Sequence, residues 1–114
     1  MSIDPATLLA ALADATRLRI ISLLTRRGEM CVCELVAALD TPQPKVSKHL
    51  AILRGSHVIS PRRAGQWIHY RINPELPTWA TQAIAHLVDG CATRVPFTED
   101  DARLADNRSS AVCR

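Results

Sequence analysis

Aromatic side chains are scarce in this chain of 114 residues, which holds two Trp, one Tyr and one Phe. A sheet sandwich draws heavily on aromatic and β-branched residues, so this scarcity disfavours one. The 47% of residues that are hydrophobic are mainly Leu, Ile, Val and Ala, which favours packed helices. Long apolar runs are missing as well. No segment approaches the length that crosses a bilayer, and the opening Met-Ser-Ile-Asp-Pro has no basic leader region. A cytoplasmic protein with no membrane partner is expected. Acidic residues are absent from the whole interval between Asp40 and Glu75, which holds Lys45, Lys48, Arg54, Arg62, Arg63 and Arg71 with His49, His57 and His69. The net charge of +3 therefore understates the segregation of cations into the middle of the chain, where the one-signed surface suits a phosphate backbone.

The pattern inside that interval shows how the charge is displayed. Val46, Leu50 and Leu53 recur at helical spacing, with Pro44 in a first turn and Gly55 as an expected C-cap. Lys45, Ser47, Lys48 and His49 then fall on or beside the opposite face. Together with Gln43 they offer the donors and acceptors that base edges in a major groove require, and Arg54 extends the basic surface. The plain alternative is an amphipathic helix with a solvated cationic face. The segment beyond Gly55 weakens that alternative: His57–Ser60 and Trp67–Ile72 have strand-like content around Pro61-Arg-Arg-Ala-Gly-Gln66, which predicts a hairpin with Arg62 and Arg63 at its tip. Such a wing supplies backbone contacts that weaken with salt. Trp67 is read as a packing residue at the wing's base.

Before this unit, Asp4-Pro5 opens a first helix ending near Ala13, and Asp14-Ala-Thr16 caps a second that runs to Arg26-Arg-Gly28. Val32, Leu35, Val36 and Leu39 form a short third helix stopped by Asp40-Thr-Pro42. The fold class is mainly α with a small β-hairpin, a winged helix-turn-helix. After Asn73-Pro74, the stripe Leu76, Trp79, Ala80, Ala83, Ile84, Leu87 and Val88 is wider than a small core needs, and Gly90 ends its helix. Paired with the first helix, it offers a homodimer interface that would set two recognition helices in successive grooves. Residues 1–92 are read as the DNA-binding and dimerisation domain. Residues 93–114, with Phe97, Leu104 and Val112 as their sizeable apolar groups, are read as a largely mobile tail in which Thr98 caps a brief helix.

Ala11-Leu-Ala-Asp-Ala-Thr-Arg-Leu-Arg-Ile20, Cys31-Val-Cys-Glu-Leu35, Val46-Ser-Lys-His-Leu50-Ala-Ile-Leu-Arg54 and the hairpin to Tyr70 together resemble the ArsR/SmtB family of bacterial metal-sensing repressors. The resemblance implies a dimeric winged helix-turn-helix, with first and last helices at the interface, that leaves double-stranded operator DNA when metal binds. The Cys-Val-Cys-Glu-Leu element looks like the arsenite-sensing branch, so the resemblance implies trivalent arsenic or antimony as inducer and no catalytic cofactor. Some relatives carry a further cysteine where this chain has Val36, which leaves Cys91, Cys113 or an exogenous thiol or hydroxide to complete the coordination. Only His86 and Asp89 match half of the family's zinc site on the last helix.

Soft thiolates at Cys31 and Cys33 suit arsenic or antimony and, less selectively, cadmium or zinc. Residues two apart on a regular helix point roughly 200° apart, so both sulfurs reach one ion only if the segment near Cys31 is non-helical or unwinds. Three rivals remain: a thiol-redox sensor of the same fold, a protein-interaction domain, and an enzyme with a Cys31 nucleophile. The enzyme is disfavoured because no Gly-rich anion loop follows a strand and little room is expected for a pocket beside the helix-turn-helix.

Overall fold

The computed structural model describes residues 2–107. Its elements run α1 (Pro5–Leu12), α2 (Ala15–Arg27), β1 (Met30–Cys31), α3 (Val32–Leu39), α4 (Gln43–Gly55), β2 (Ile59–Ala64), β3 (Trp67–Ile72), α5 (Thr78–Cys91) and α6 (Phe97–Asn107). The expected N-caps of α1 and α2 are in place, whereas α5 runs one residue past Gly90 to Cys91 and Thr98 lies inside α6 and does not cap it. Asp4 accepts the Thr7 N–H at 3.1 Å and Asp14 accepts the Arg17 N–H at 3.0 Å, each satisfying a donor that the first helical turn leaves open. Gly28 ends α2 at φ 84°, a conformation that a Cβ would strain. Behind these caps α2 is the central helix, with Ile20, Ile21, Leu23 and Leu24 all buried.

α3 and α4 form the helix-turn-helix around Asp40, whose φ of 49° turns the chain, and β2 with β3 form the wing. The wing is longer than expected. β2 starts at Ile59 and carries Pro61 within it, which is tolerated because the strand order β1-β3-β2 leaves β2 on an edge. Pairing of Ala64 with Trp67 tightens the connection to Gly65-Gln66, so Arg62 and Arg63 lie on the strand leading to the tip. Gly55 is the last helical residue of α4 and not its cap. The left-handed residue there is His57, at φ 64°, whose carbonyl accepts from Asn73 Nδ2 at 2.9 Å.

Two further features depart from expectation. The two-residue strand β1 pairs Met30 with Tyr70 and Cys31 with His69, adding a third strand to the wing. From Phe97 to Asn107 the expected mobile tail is a helix packed on α3 and α2, with Phe97 and Leu104 buried. Its anchor is Asp100, fully buried, which accepts from Arg19 Nε at 2.9 Å, Arg19 Nη2 at 2.7 Å and Arg103 Nη2 at 2.8 Å. The same two arginines donate to the last carbonyls of α3: Arg19 Nη2 to Leu39 at 2.9 Å and Arg103 Nε to Ala38 at 2.8 Å. Asp101 adds an ion pair with Arg26. Val112 and Cys113 lie outside the described residues.

Candidate sensor and nucleic-acid interface

The two cysteines meet at the head of α3. Cys31 is the N-cap, with φ −86° and ψ 167°, and Cys33 lies one turn-position inside the helix. Because Cys31 is extended, its side chain escapes the helical 200° separation, and the two Sγ atoms are in direct contact at 2.9 Å. The non-helical alternative therefore holds, and no unwinding of α3 is needed to bring the sulfurs together. Glu34 fixes this corner by accepting the Cys31 N–H at 3.0 Å, the return half of a capping box. Cys31 is 2% exposed and Cys33 is half-buried.

A groove of about 610 Å³ opens beside the sulfurs. Val32, Val36 and Ala37 of α3 form one wall, Trp67 and Ile68 of β3 another, with Gln43 and Gln66 exposed at its edge. Its existence corrects the expectation that the fold leaves little room for a pocket here. Trp67 is half-buried in the wall of this groove. Among the described residues, no third His, Cys, Asp or Glu groups with the thiols. Cys91 is buried on α5, where burial pushes its thiol pKa up against the opposing pull of Arg26 and Arg94. His86 and Asp89 are exposed on the same helix.

On α4, Gln43, Lys45, Lys48 and Arg54 are exposed and Ser47 is half-buried, whereas His49 is 7% exposed and turned into the protein. Its spacing explains this. Residues 46, 49, 50 and 53 follow the i, i+3, i+4, i+7 pattern of a single stripe, so His49 shares the buried face and not the basic one. There its Nδ1 lies 3.3 Å from Arg17 Nη1 and 3.7 Å from Asp14 Oδ2. Burial lowers its pKa, opposed by Asp14 and reinforced by the cations Arg17, Lys48 and Lys45. Arg17 also donates through Nε to the Ala11 carbonyl at 2.7 Å, so the start of α2, the end of α1 and the middle of α4 are tied at one point.

On the wing Arg63 is exposed, while Arg62 forks onto Glu29, with Nη2 to Oε1 at 2.6 Å and Nε to Oε2 at 2.7 Å. The pairing lowers the Glu29 pKa and raises that of Arg62. Elsewhere, large apolar side chains stand open to solvent on the two helices expected to dimerise: Leu9 on α1 at 67% exposure, and Trp79 and Leu87 on α5 at 42% and 41%. Among the described residues no helix is long and apolar enough to cross a membrane.

Comparison with known proteins agrees with this architecture. Residues 14–60 match the family described as "Bacterial regulatory protein, arsR family". The chain is 51% identical over 80 residues to the arsenical resistance operon repressor of Escherichia coli, covering 70% of this chain and 68% of that one. It is 43% identical over 104 residues to the arsenic resistance transcriptional regulator ArsR1 of Pseudomonas putida, covering 91% and 80%. Among solved structures, the transcriptional repressor PagR of Bacillus anthracis superposes with a TM-score of 0.64 at 33% identity, over 72% of this chain and 90% of that one. With its helix-turn-helix, basic α4 and wing, the chain belongs to the arsR family of bacterial regulatory proteins, which are DNA-binding transcriptional regulators and not enzymes.

Proposed function

We propose that this protein is a metal(loid)-responsive repressor that binds double-stranded operator DNA as a homodimer and releases it when trivalent arsenic or antimony joins Cys31 to Cys33. The observation that carries this reading is the contact between the two sulfurs at the head of α3. Thiolates are soft ligands and select thiophilic ions, and the relatives named for arsenical resistance support arsenic among them. Gln43, Lys45, Ser47 and Lys48 face the bases and nearest phosphates, with Arg54, Arg62 and Arg63 adding backbone contacts. His49, expected on that surface from its polarity, acts instead by holding α4 against Asp14 and Arg17. Dimerisation covers Leu9, Trp79 and Leu87, and a reducing cytoplasm keeps the thiols competent.

Since the sulfurs already adjoin, the ligand acts by adding volume where α3, β3 and the start of α4 converge. Shifting a dimer from about 99:1 DNA-competent to 1:99 needs roughly 5.5 kcal/mol of differential affinity, which coordination at two symmetry-related sites is able to supply. Fluorescence anisotropy of the reduced protein on its promoter DNA, titrated with arsenite, antimonite, cadmium and zinc, tests this. Release by arsenite in wild type but not in Cys31→Ser is expected. An equal response in the two would refute the thiol site, and release by oxidants alone would move it to the redox reading.

A further inference from the structure

We infer that α6 is a positioning element for the DNA-binding unit: through Arg19 and Arg103, Asp100 holds the end of α3 and the turn after it, so that α4 is presented to DNA in one orientation. The inference rests on the helix-turn-helix and on the DNA binding of the family, and the arsenic reading does not enter it. α3 has eight residues, too few to hold its own end by helix formation alone. The carbonyls at that end have no partner within the helix, and side chains from two other helices supply donors. Leu39 accepts from Arg19 Nη2 of α2 at 2.9 Å and Ala38 accepts from Arg103 Nε of α6 at 2.8 Å, which sets cations where the helix dipole favours them.

The connection onward is short. Asp40, Thr41 and Pro42 alone separate α3 from α4, and the Pro42 carbonyl accepts the N–H groups of Lys45 at 3.1 Å and Val46 at 3.2 Å. Thr41 Oγ1 donates to the Leu39 carbonyl at 2.9 Å, so the carbonyl that Arg19 holds is bonded to the turn as well. A shift at the end of α3 is therefore felt in the first turn of α4, which carries Gln43 and Lys45. α6 is itself aimed by a charge. Phe97, Asp100 and Leu104 follow the i, i+3, i+7 spacing of one stripe, and all three are buried. A wholly apolar stripe would tolerate several registers against α3. A carboxylate that must meet both guanidinium groups accepts one, which is the use of buried charge in fixing register.

Asp100→Asn keeps the shape of the side chain and removes its charge. Removing an acid makes the protein more cationic, which by itself strengthens DNA binding, whereas losing the position of α4 weakens it, so the sign of the effect separates the two. With the full-length reduced protein on promoter DNA, Asp100→Asn that is folded by circular dichroism is expected to bind about tenfold more weakly, as a competent fraction near one tenth requires, with an unchanged slope against salt. Glu99→Gln makes the same change of charge at an exposed neighbour and is expected to bind no more weakly than wild type. Amide hydrogen exchange at Lys45 and Val46 should quicken in Asp100→Asn while residues 59–72 of the wing keep their protection. Arg103→Lys keeps the charge but loses the planar fork that reaches both Asp100 and Ala38, and about threefold weaker binding is expected; it decides the question if Asp100→Asn does not fold. Wild-type affinity in folded Asp100→Asn or in Arg103→Lys overturns the inference. So does weaker binding by Asp100→Asn without faster exchange at Lys45 and Val46, or equal weakening in Glu99→Gln.

Discussion

The two ends of α3 are built from opposite materials. Its head is uncharged apart from Glu34: two sulfurs in contact, an extended N-cap and an apolar groove. Its foot is held by charge, with Arg19 and Arg103 gathered on buried Asp100 and donating to the carbonyls of Leu39 and Ala38. A neutral, partly open end changes occupancy at small cost, whereas a buried ion cluster resists displacement because each charge would lose its partner. The difference teaches how a short helix can report on a ligand. With its foot pinned, α3 has its head beside β3 and the start of α4, which is where the proposed ligand would be felt.

Breaking the head should have the largest effect on response and little on folding. Cys31→Ser is expected to abolish arsenical release over a range approaching the roughly 10⁴-fold differential that full switching requires, read as half-release concentration on DNA. Breaking the foot should do the reverse. Asp100→Ala leaves two arginines without their shared partner, and about 3 kcal/mol of stability should be lost in urea unfolding, while arsenical binding by the folded fraction persists. Loss of arsenical binding in folded Asp100→Ala would show that the ends are not separable. A milder break is Glu34→Ala, which removes the acceptor for the Cys31 N–H. It should cost about 1 kcal/mol and loosen the sulfur pair without removing it, so arsenical affinity falls by less than in Cys31→Ser.

The smallest effect concerns pH, at His49 on the buried face of α4. His49 has a lowered pKa in the fold, chiefly through burial, so as pH falls through the ordinary histidine value near 6.5 the unfolded chain takes up protons first. Stability contributed by neutral His49 is therefore complete above that value and declines below it, towards the folded-state pKa. Urea midpoints between pH 7.5 and 5 should fall more gently in His49→Gln than in wild type. Parallel profiles would show that His49 contributes nothing to the pH dependence.

The helix-turn-helix was legible because its signals are local: Val46, Leu50 and Leu53 at helical spacing, caps at Asp4 and Asp14, and an acid-free basic interval. His49 was open to the same method, since it completes the buried stripe, but its polarity suggested the wrong face. The foot of α3 was not legible. Arg19 and Asp100 are 81 positions apart, and α6 has too few apolar residues to announce a packed helix. β1 is two residues long, below any periodic signal, yet it makes Cys31 part of the wing's sheet. The sulfur contact was half legible: the spacing required either a non-helical segment near Cys31 or an unwound helix, and only the pairing with His69 and the bond to Glu34 show which holds and what fixes it.

The fork between Glu29 and Arg62 gives the wing a resident counterion. A carboxylate occupies the guanidinium face that a phosphate would take, so an operator phosphate meeting Arg62 displaces Glu29, which then gathers a cation from solution as the DNA gives one up. The exchange cancels in the salt dependence. A wing that looks doubly basic in sequence should behave in a salt titration as though it carried one cation, and Glu29→Gln should steepen the slope of log affinity against log salt by about 0.9 per protomer. An unchanged slope would place Arg62 away from the phosphates.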